Sequence, residues 1–326
     1  MKDSAKCVFK SRRWVWAVAI VCMAVTVGLG CASSYMLDYS LRPVMHHGHN
    51  LPWRLNRILT DCPQLRPWAD SLLRCHALRD TFVVMPSGER HHATYILAGR
   101  PTARVALLVH GYKDNGMGMM HIASIYNRMG YNVLLPDLHA HGRSEGEGVQ
   151  MGWKDRWDVI RWAEVANDMF GGGGDVQMVL HGVSMGAATV MNVSGEQLPG
   201  YVRCFVEDCG YTGVWEEFAY ELSGTFGLPE FPLMYTSSVL CKLKYGWTFG
   251  EAAPLEQVRK CFRPMLFIHG DKDSYVPFSM MGRLYAAKPQ PKAQWVSRGS
   301  IHAMSFRDHP AEYAARVSGF VGRYIR

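Results

Sequence analysis

The chain has 326 residues, of which 48% are hydrophobic and 19% charged, a composition typical of a globular protein and not of a disordered one. The formal net charge is +7, but no stripe of Lys and Arg alternates with aromatic residues, which argues against nucleic-acid binding. The length is compatible with one α/β core that carries additional segments.

The N-terminus combines a basic flank with an apolar run. Lysines and arginines lie among residues 2–13, and the run from Trp14 to Ala32 contains no charged residue. At a rise of ~1.5 Å per residue, such a helix just crosses a hydrocarbon core of ~30 Å. We predict that residues 1–32 are a signal or membrane anchor that leaves the rest of the chain on the extracytoplasmic face. Leu29-Gly30-Cys31 resembles the end of a bacterial lipoprotein signal, so cleavage before Cys31 stays an alternative to a persistent span.

Cysteines and histidines give no sign of a metal site in the sequence. Six of the nine cysteines follow Cys31, and an even number in an exported chain permits disulfides without requiring them. None has the paired short spacing of a zinc site, so we expect no metal. We expect five histidines to be surface residues and not metal ligands: His46, His47, His49, His91 and His92.

The chain then divides into a helical pre-domain segment, residues 33–80, and a main domain, residues 81–326. The main domain opens with a predicted hairpin. Further strands are predicted at 105–109, 133–135, 176–180, 202–206, 265–268 and 293–296. Helices are predicted at 117–129, 154–170, 187–193, 278–287 and 311–325. Alternating buried strands and helices predict an α/β fold with a mostly parallel central sheet covered on both faces, which places functional residues at the carboxyl ends of the strands.

The segment at about 211–250 lies between two predicted core strands and is rich in aromatic residues. We predict that it is a small cap insertion. An apolar cap would favour an acyl chain or an aromatic ester over a long polar peptide.

The pattern Gly182-Val183-Ser184-Met185-Gly186 follows a strand and precedes a helix. This G-x-S-x-G pattern predicts a sharp turn that exposes the serine hydroxyl, with glycines at 182 and 186 because side chains there would collide with neighbouring backbone. Ser184 would then lie at a helix N-terminus, whose free N–H groups favour a developing oxyanion. We therefore predict that Ser184 is a nucleophile.

A serine nucleophile needs a base and a carboxylate that orients the base. His302 lies between the last predicted strand and the last helix, and Asp273 lies in the loop that follows the preceding strand, Met265 to Ile268. We predict His302 as the base and Asp273 as the acid. Asp208 is the alternative acid, and Asp271 is expected to tighten its turn by bonding its own backbone.

The oxyanion of an acyl-transfer intermediate needs two backbone N–H donors. The residue after the nucleophile, Met185, is expected to supply one. The second is expected from the loop after the strand that ends at Val109, with Tyr112 as the donor.

These motifs together resemble the α/β-hydrolase superfamily, and within it the exported or membrane-anchored bacterial hydrolases described as esterase-like or as relatives of serine aminopeptidases. The resemblance covers residues 81–326. It rests on these segments: Leu108-Val109-His110-Gly111, Pro136 to Ser144, His181 to Gly186, and Gly270 to Asp273 with Val276-Pro277. It implies a Ser-His-Asp triad, no cofactor, an acyl-enzyme mechanism and a small-molecule ester or acyl substrate. The chain departs from many relatives at His139, where they carry Arg, and at Ser300-Ile301, where they carry a Gly.

Four functions are compatible with these residues. The resemblance favours hydrolysis of carboxylic esters. The same residues could serve an amidase or peptidase, or an acyltransferase whose acceptor replaces water. A tethered binding protein with a vestigial site is the least favoured, because such a protein would have no reason to keep all three residues.

Overall fold

The computed structural model describes residues 2–45 and 51–326, without the side chains of residues 2–13, 45, 51, 52, 54 and 61. The histidines at positions 46, 47 and 49, predicted to lie on the surface, are outside the described residues.

The strands alternate with helices along most of the described chain. The strands are β1 (Val44–Met45), β2 (Leu78–Val84), β3 (Arg90–Ile96), β4 (Arg104–Val109), β5 (Asn132–Pro136), β6 (His141–Gly142), β7 (Gln177–Val183), β8 (Val202–Asp208), β9 (Met265–Gly270) and β10 (Lys292–Ser297). The helices are α1 (Lys2–Leu41), α2 (Leu51–Asp61), α3 (Arg66–Arg74), α4 (Met120–Arg128), α5 (Asp155–Phe170), α6 (Met185–Ser194), α7 (Val214–Phe226), α8 (Leu233–Tyr245), α9 (Pro254–Val258), α10 (Ser279–Ala287), α11 (Ser305–Asp308) and α12 (Pro310–Val321).

Eight of these strands form one sheet in the order β10-β9-β8-β7-β4-β5-β3-β2. The pairs from β10 to β5 are parallel, and β3 is antiparallel to both β5 and β2. Helix α4 packs against α12, and α6 packs against both α5 and α9. Because helices cover the sheet, its central strands are buried along nearly their whole length and need continuous apolar sequence. The predicted α/β fold with a mostly parallel sheet is confirmed.

The described residues form two compact units. The first consists of residues 1–40 and 218–248, and the second of residues 41–217 and 249–326, which include the whole sheet. The segment 218–248 falls inside the predicted cap, and its role as a cap stays a prediction.

Within the first unit, α1 and the segment 218–248 are in direct contact. The hydroxyls of Ser33 and Thr236 are 2.6 Å apart, and the rings of Tyr39 and Phe226 meet edge to face at 5.7 Å. The stretch Trp14–Leu41 of α1 has a mean hydropathy of 2.3, which makes it long and apolar enough to cross a membrane. The helix therefore continues beyond residue 32, where the sequence analysis ended the apolar run.

Two histidines predicted to lie on the surface are buried, so that interpretation was wrong. His91 and His92 lie in β3, and neither exposes any of its surface. Nδ1 of His92 lies 2.8 Å from Oδ2 of Asp137, and its Nε2 lies 3.0 Å from Oδ1 of Asp80. Burial alone would lower the pKa of His92, but these two hydrogen bonds raise it, so His92 is held between two carboxylates.

Candidate active site

Ser184 lies at the turn between β7 and α6, at the N-cap position of that helix. Its backbone has φ 57° and ψ −121°, a conformation that a non-glycine residue rarely adopts. A Cβ on Gly182 would lie 2.0 Å from the carbonyl oxygen of Gly186, and a Cβ on Gly186 would lie 2.0 Å from that of Val109. Both glycines are therefore required by contacts with neighbouring backbone, as the motif predicts.

The structure brings the hydroxyl of Ser184 and the imidazole of His302 together, although 118 residues separate them. The Ser184 Oγ lies 2.8 Å from Nε2 of His302, and Nδ1 of the same ring lies 2.7 Å from Oδ2 of Asp273. Ser184 is 8% exposed and the side chain of His302 is 20% exposed, so both keep some contact with solvent. The three residues form a continuous hydrogen-bonded relay.

Asp273 is held by more than His302. Its Oδ1 accepts hydrogen bonds from the backbone N–H groups of Tyr275 and Val276, and its Oδ2 lies 3.2 Å from Nε2 of His269. Burial alone would raise the pKa of Asp273, but the hydrogen bonds from His269 and His302 outweigh it and hold the pKa at about 2. The carboxylate is therefore ionised at neutral pH and faces His302 in a fixed orientation.

His269 also contributes to the site and was not predicted from the sequence. It lies in β9 four residues before Asp273, and its Nε2 also lies 3.0 Å from the carbonyl oxygen of Val276. A protonated Nε2 would therefore donate to two oxygens of the same turn. The His269-Gly270 pair directly before the acid loop was the signal in the sequence, since a buried histidine at that place must have a polar partner.

Asp208, the alternative acid, is engaged elsewhere. The Tyr313 hydroxyl donates to its Oδ2 at 2.9 Å, and the Ser305 hydroxyl lies 3.5 Å from its Oδ1. Burial raises the pKa of Asp208 to about 6. Since its oxygens face α11 and α12, Asp208 supports the segment that follows His302 and does not take the position of Asp273.

We expected Asp271 to tighten its own turn, but its side chain bonds a different loop. Its Oδ1 accepts the backbone N–H of Gly299 at 2.7 Å, which links the loop after β9 to the loop after β10. The local turn is closed instead by Asp273, through the two backbone N–H groups that it accepts. Asp271 thus brings together the two loops that carry Asp273 and His302.

The loop after β4 lies directly beside the serine. A Cβ on Gly111 would lie 3.4 Å from Cβ of Ser184, so the backbone of the loop is in contact with the nucleophile candidate. His110 orders this loop: its Nε2 accepts the backbone N–H of Leu138 at 3.0 Å, so its Nδ1 carries the proton and donates to the Gly111 carbonyl at 2.7 Å. The predicted donors Tyr112 and Met185 follow Gly111 and Ser184 directly in the sequence, so each lies on one of these two neighbouring segments.

The chain is similar to known proteins over most of its length. Residues 100–215 match a model of the family described as serine aminopeptidase, S33. The uncharacterized protein YqkD of Bacillus subtilis is 29% identical over 245 residues, which is 75% of this chain and 80% of that protein.

Solved structures with the same architecture extend the comparison. The Pyrococcus furiosus esterase Pf2001 superposes with a TM-score of 0.62 at 21% identity, covering 76% of this chain and 92% of the esterase. The α/β hydrolase GrgF from Penicillium has a TM-score of 0.59 at 14% identity, with 76% and 99% covered. A puromycin-hydrolyzing peptidase of Mycobacterium tuberculosis has a TM-score of 0.59 at 18% identity, with 76% and 39% covered.

The chain therefore has the α/β-hydrolase fold.

Beneath the serine turn, the protein has a buried chain of polar side chains. The Tyr126 hydroxyl lies 3.1 Å from Nδ1 of His181, and Nε2 of His181 lies 3.0 Å from the hydroxyl of Tyr313, which donates to Asp208. Burial lowers the pKa of His181 to about 3, so the ring is neutral and acts both as donor and acceptor. This network ties β7, which ends directly before Ser184, to α12 and β8.

Proposed function

We propose that the chain is a membrane-tethered serine hydrolase that cleaves carboxylic esters through an acyl-enzyme intermediate. Ser184 is the nucleophile, His302 the general base and Asp273 the residue that orients the base. The observation that supports this most strongly is the relay from Asp273 Oδ2 through His302 to Ser184 Oγ, with distances of 2.7 and 2.8 Å.

The proton positions follow from the partners in the relay. An ionised Asp273 can only accept, so Nδ1 of His302 carries the proton and Nε2 presents a lone pair to the Ser184 hydroxyl. As Oγ forms a bond to the acyl carbon, Nε2 takes its proton. When the C–O bond to the alcohol breaks, the same proton passes to the leaving oxygen. Water then attacks the acyl-enzyme, His302 takes a proton from it, and that proton returns to Ser184.

The negative charge on the acyl oxygen would be stabilised by the backbone N–H groups of Met185 and Tyr112. Met185 is the first residue of α6, where N–H groups have no partner within the helix. Contact between the loop at Gly111 and Ser184 supports the second donor. Removal of one such donor typically costs ~10²–10³ in kcat.

A substrate panel tests this proposal. Full-length protein in detergent is assayed with nitrophenyl esters of increasing acyl length and with aminoacyl nitroanilides, beside Ser184→Ala. Ester turnover by the wild type and its loss in the folded variant are expected. Failure to turn over any ester, or equal turnover by Ser184→Ala, would contradict the proposal.

Amide or peptide hydrolysis is the second candidate function. The match of residues 100–215 to the serine aminopeptidase family favours it. Higher kcat/KM on the nitroanilides than on every ester would make the peptidase the correct assignment, and product esters formed in the presence of an added alcohol would indicate acyl transfer.

The membrane attachment is supported by two features of the first unit. The first is the apolar stretch Trp14–Leu41 of α1, whose most apolar window has no buried residue. The second is a row of exposed apolar side chains at every fourth position on or next to α8: Phe231, Tyr235, Val239 and Leu243. Residues four apart lie on one face of a helix, and Lys242 and Lys244 in its last turn would suit anionic headgroups.

Fractionation and lipid labelling test the attachment. The full chain should sediment with membranes and be released only by detergent, and protease added to intact cells should degrade it. In liposomes, a photoreactive phospholipid should label peptides that contain residues 231–243. A protein found in the soluble cytoplasmic fraction would exclude the anchor, and unlabelled α8 peptides would exclude contact of that helix with lipid.

A further inference from the structure

A second group of ionisable side chains lies away from the serine relay, at the antiparallel end of the sheet. Glu89 precedes β3, His91 lies in β3, His139 lies between β5 and β6, and Asp158 lies in α5. These four residues are called the His91 cluster below. Its members come from three separate parts of the chain, so their approach is produced by the fold.

His91 is the unusual member, because it is completely buried and neither ring nitrogen has a hydrogen-bond partner among the described residues. The nearest acceptors are Oε2 of Glu89, 3.7 Å from Nε2, and Oδ2 of Asp158, 3.7 Å from Nδ1. Both distances are too long for hydrogen bonds. Buried polar groups are almost always satisfied, so an orphaned imidazole indicates that a further partner belongs between these side chains.

The spacing of the cluster fits a metal ion. Oε2 of Glu89 lies 3.1 Å from Nδ1 of His139 and 3.7 Å from Nε2 of His91, and one ligand atom from each of the three lies within 4.8 Å of the others. Around a tetrahedral Zn²⁺ with N and O ligands at ~2.0–2.1 Å, neighbouring ligand atoms are about 3.3–3.4 Å apart. We propose that Glu89, His91 and His139 bind a Zn²⁺-class ion, with the fourth position open to water.

Asp158 completes the arrangement from outside the ligand set. If Nε2 of His91 binds the metal, Nδ1 carries the proton and points to Oδ2 of Asp158. A small adjustment of this carboxylate then satisfies both nitrogens of the buried ring. Histidine ligands of zinc almost always donate their other N–H to a carboxylate, carbonyl or water in this way.

The surroundings favour a cation and fix the ligands. Glu89 supplies the carboxylate of the ligand set, Glu145 adds negative potential at His91, and Glu147 adds negative potential at His139, where Lys154 opposes it.

The ring of His139 is also held in place by a glycine. A Cβ on Gly146 would lie 2.6 Å from Nε2 of His139, so only glycine allows the ring to rest there with Nδ1 turned to Glu89. An ion at this place would join the β2–β3 hairpin to the segment after β5. The serine relay does not take part in this site.

Metal binding by the full chain in detergent tests the proposal. The protein is stripped with a chelator, dialysed and titrated with Zn²⁺ against a chromophoric chelator, and the retained metal is measured by mass spectrometry. One equivalent is expected. Asp158→Asn removes the partner of a ligand and should weaken the affinity for Zn²⁺ by ~10–100-fold. Glu89→Gln and His139→Gln remove ligands themselves and should each weaken it by at least as much.

Two control variants exclude other sites. A second group of side chains also places ligand atoms within 4.8 Å of one another: Cys209, Asp273 and His302. If the His91 cluster is the site, His302→Gln should still bind one equivalent of Zn²⁺. A variant with alanine at His46, His47 and His49 should retain it as well. Co²⁺ bound in place of Zn²⁺ should give tetrahedral d–d bands without a thiolate charge-transfer band, since no cysteine is in the ligand set.

The proposal would be overturned if the wild type retained no equivalent, or if Glu89→Gln and His139→Gln bound Zn²⁺ as tightly as the wild type. Glu89 is 31% exposed in its side chain, so Glu89→Gln should fold, which circular dichroism verifies. Ester turnover measured on the same samples separates this proposal from the proposed function, because neither outcome depends on the other.

Discussion

Replacement of Asp273 by asparagine should reduce kcat by a large factor without unfolding the protein. Oδ1 of Asp273 accepts two backbone N–H groups, at 3.0 and 2.9 Å, so the amide oxygen of Asn will take that position. The NH₂ group must then occupy the position of Oδ2, which faces Nδ1 of His302 at 2.7 Å. An N–H donor there forces the proton of His302 onto Nε2, and the ring can no longer accept the proton of Ser184.

The expected loss is ~10⁴ in kcat, the effect of the corresponding change in a serine protease, which equals about 5 kcal/mol in activation free energy. The lost charge adds to the tautomer effect, because Asn cannot stabilise the imidazolium that forms in the transition state. Asp208→Asn is the matched control, since Asp208 bonds Tyr313 and Ser305 and not His302. Asp271→Asn keeps an oxygen for the N–H of Gly299 and should affect stability more than kcat.

The assay compares kcat of the three variants on one nitrophenyl ester, with circular dichroism to verify folding. A crippled Asp208→Asn beside a nearly normal Asp273→Asn would refute the assignment of the acid, while Ser184 and His302 would keep their proposed roles.

Three further changes have predicted outcomes. Gly186→Ala should lower the free energy of unfolding by ~1–3 kcal/mol or more and disturb the serine turn. The control Gly282→Ala, in α10, places a Cβ where no atom lies within 4 Å, so it should leave the thermal midpoint unchanged or raise it. His269→Ala should raise the pKa of Asp273 and lower kcat, without an equal loss of folding stability, because it removes one donor to Oδ2. The pKa of Asp273 is depressed to about 2, so the ionised side chain stabilises the folded state by roughly 2 kcal/mol above pH ~4, and this contribution is lost as pH falls towards 2. Acid unfolding of Asp273→Asn should lack that loss of stability.

The fold was predictable because its signals are local. The apolar strands and the helices between them were identified to within a few residues, since a buried parallel strand needs continuous apolar sequence. The serine turn was predictable for the same reason: the contacts that exclude a side chain at Gly182 and Gly186 come from backbone only a few residues away or from an adjacent strand. The structure brings Ser184, His302 and Asp273 together, and their roles stay predictions until the variants are assayed.

Long-range packing decided what the sequence could not predict. His91 and His92 follow the turn of a hairpin and resemble surface residues in the sequence, but β3 is covered on both sides, so one ring binds two carboxylates and the other joins the His91 cluster. The partner of Asp271 lies 28 residues further along the chain, in a loop brought near by the pairing of β9 and β10. Such contacts depend on the register of the whole sheet.

The most direct test of the account is the site of covalent modification by a fluorophosphonate. The full-length protein is labelled in detergent, digested and mapped by mass spectrometry, beside Ser184→Ala and His302→Ala. We expect one adduct on Ser184 and none in Ser184→Ala. Labelling of His302→Ala should be much slower, because the Ser184 hydroxyl has lost the base that lies 2.8 Å away in the wild type. An adduct on another residue, or undiminished labelling of Ser184→Ala, would show that Ser184 is not the nucleophile.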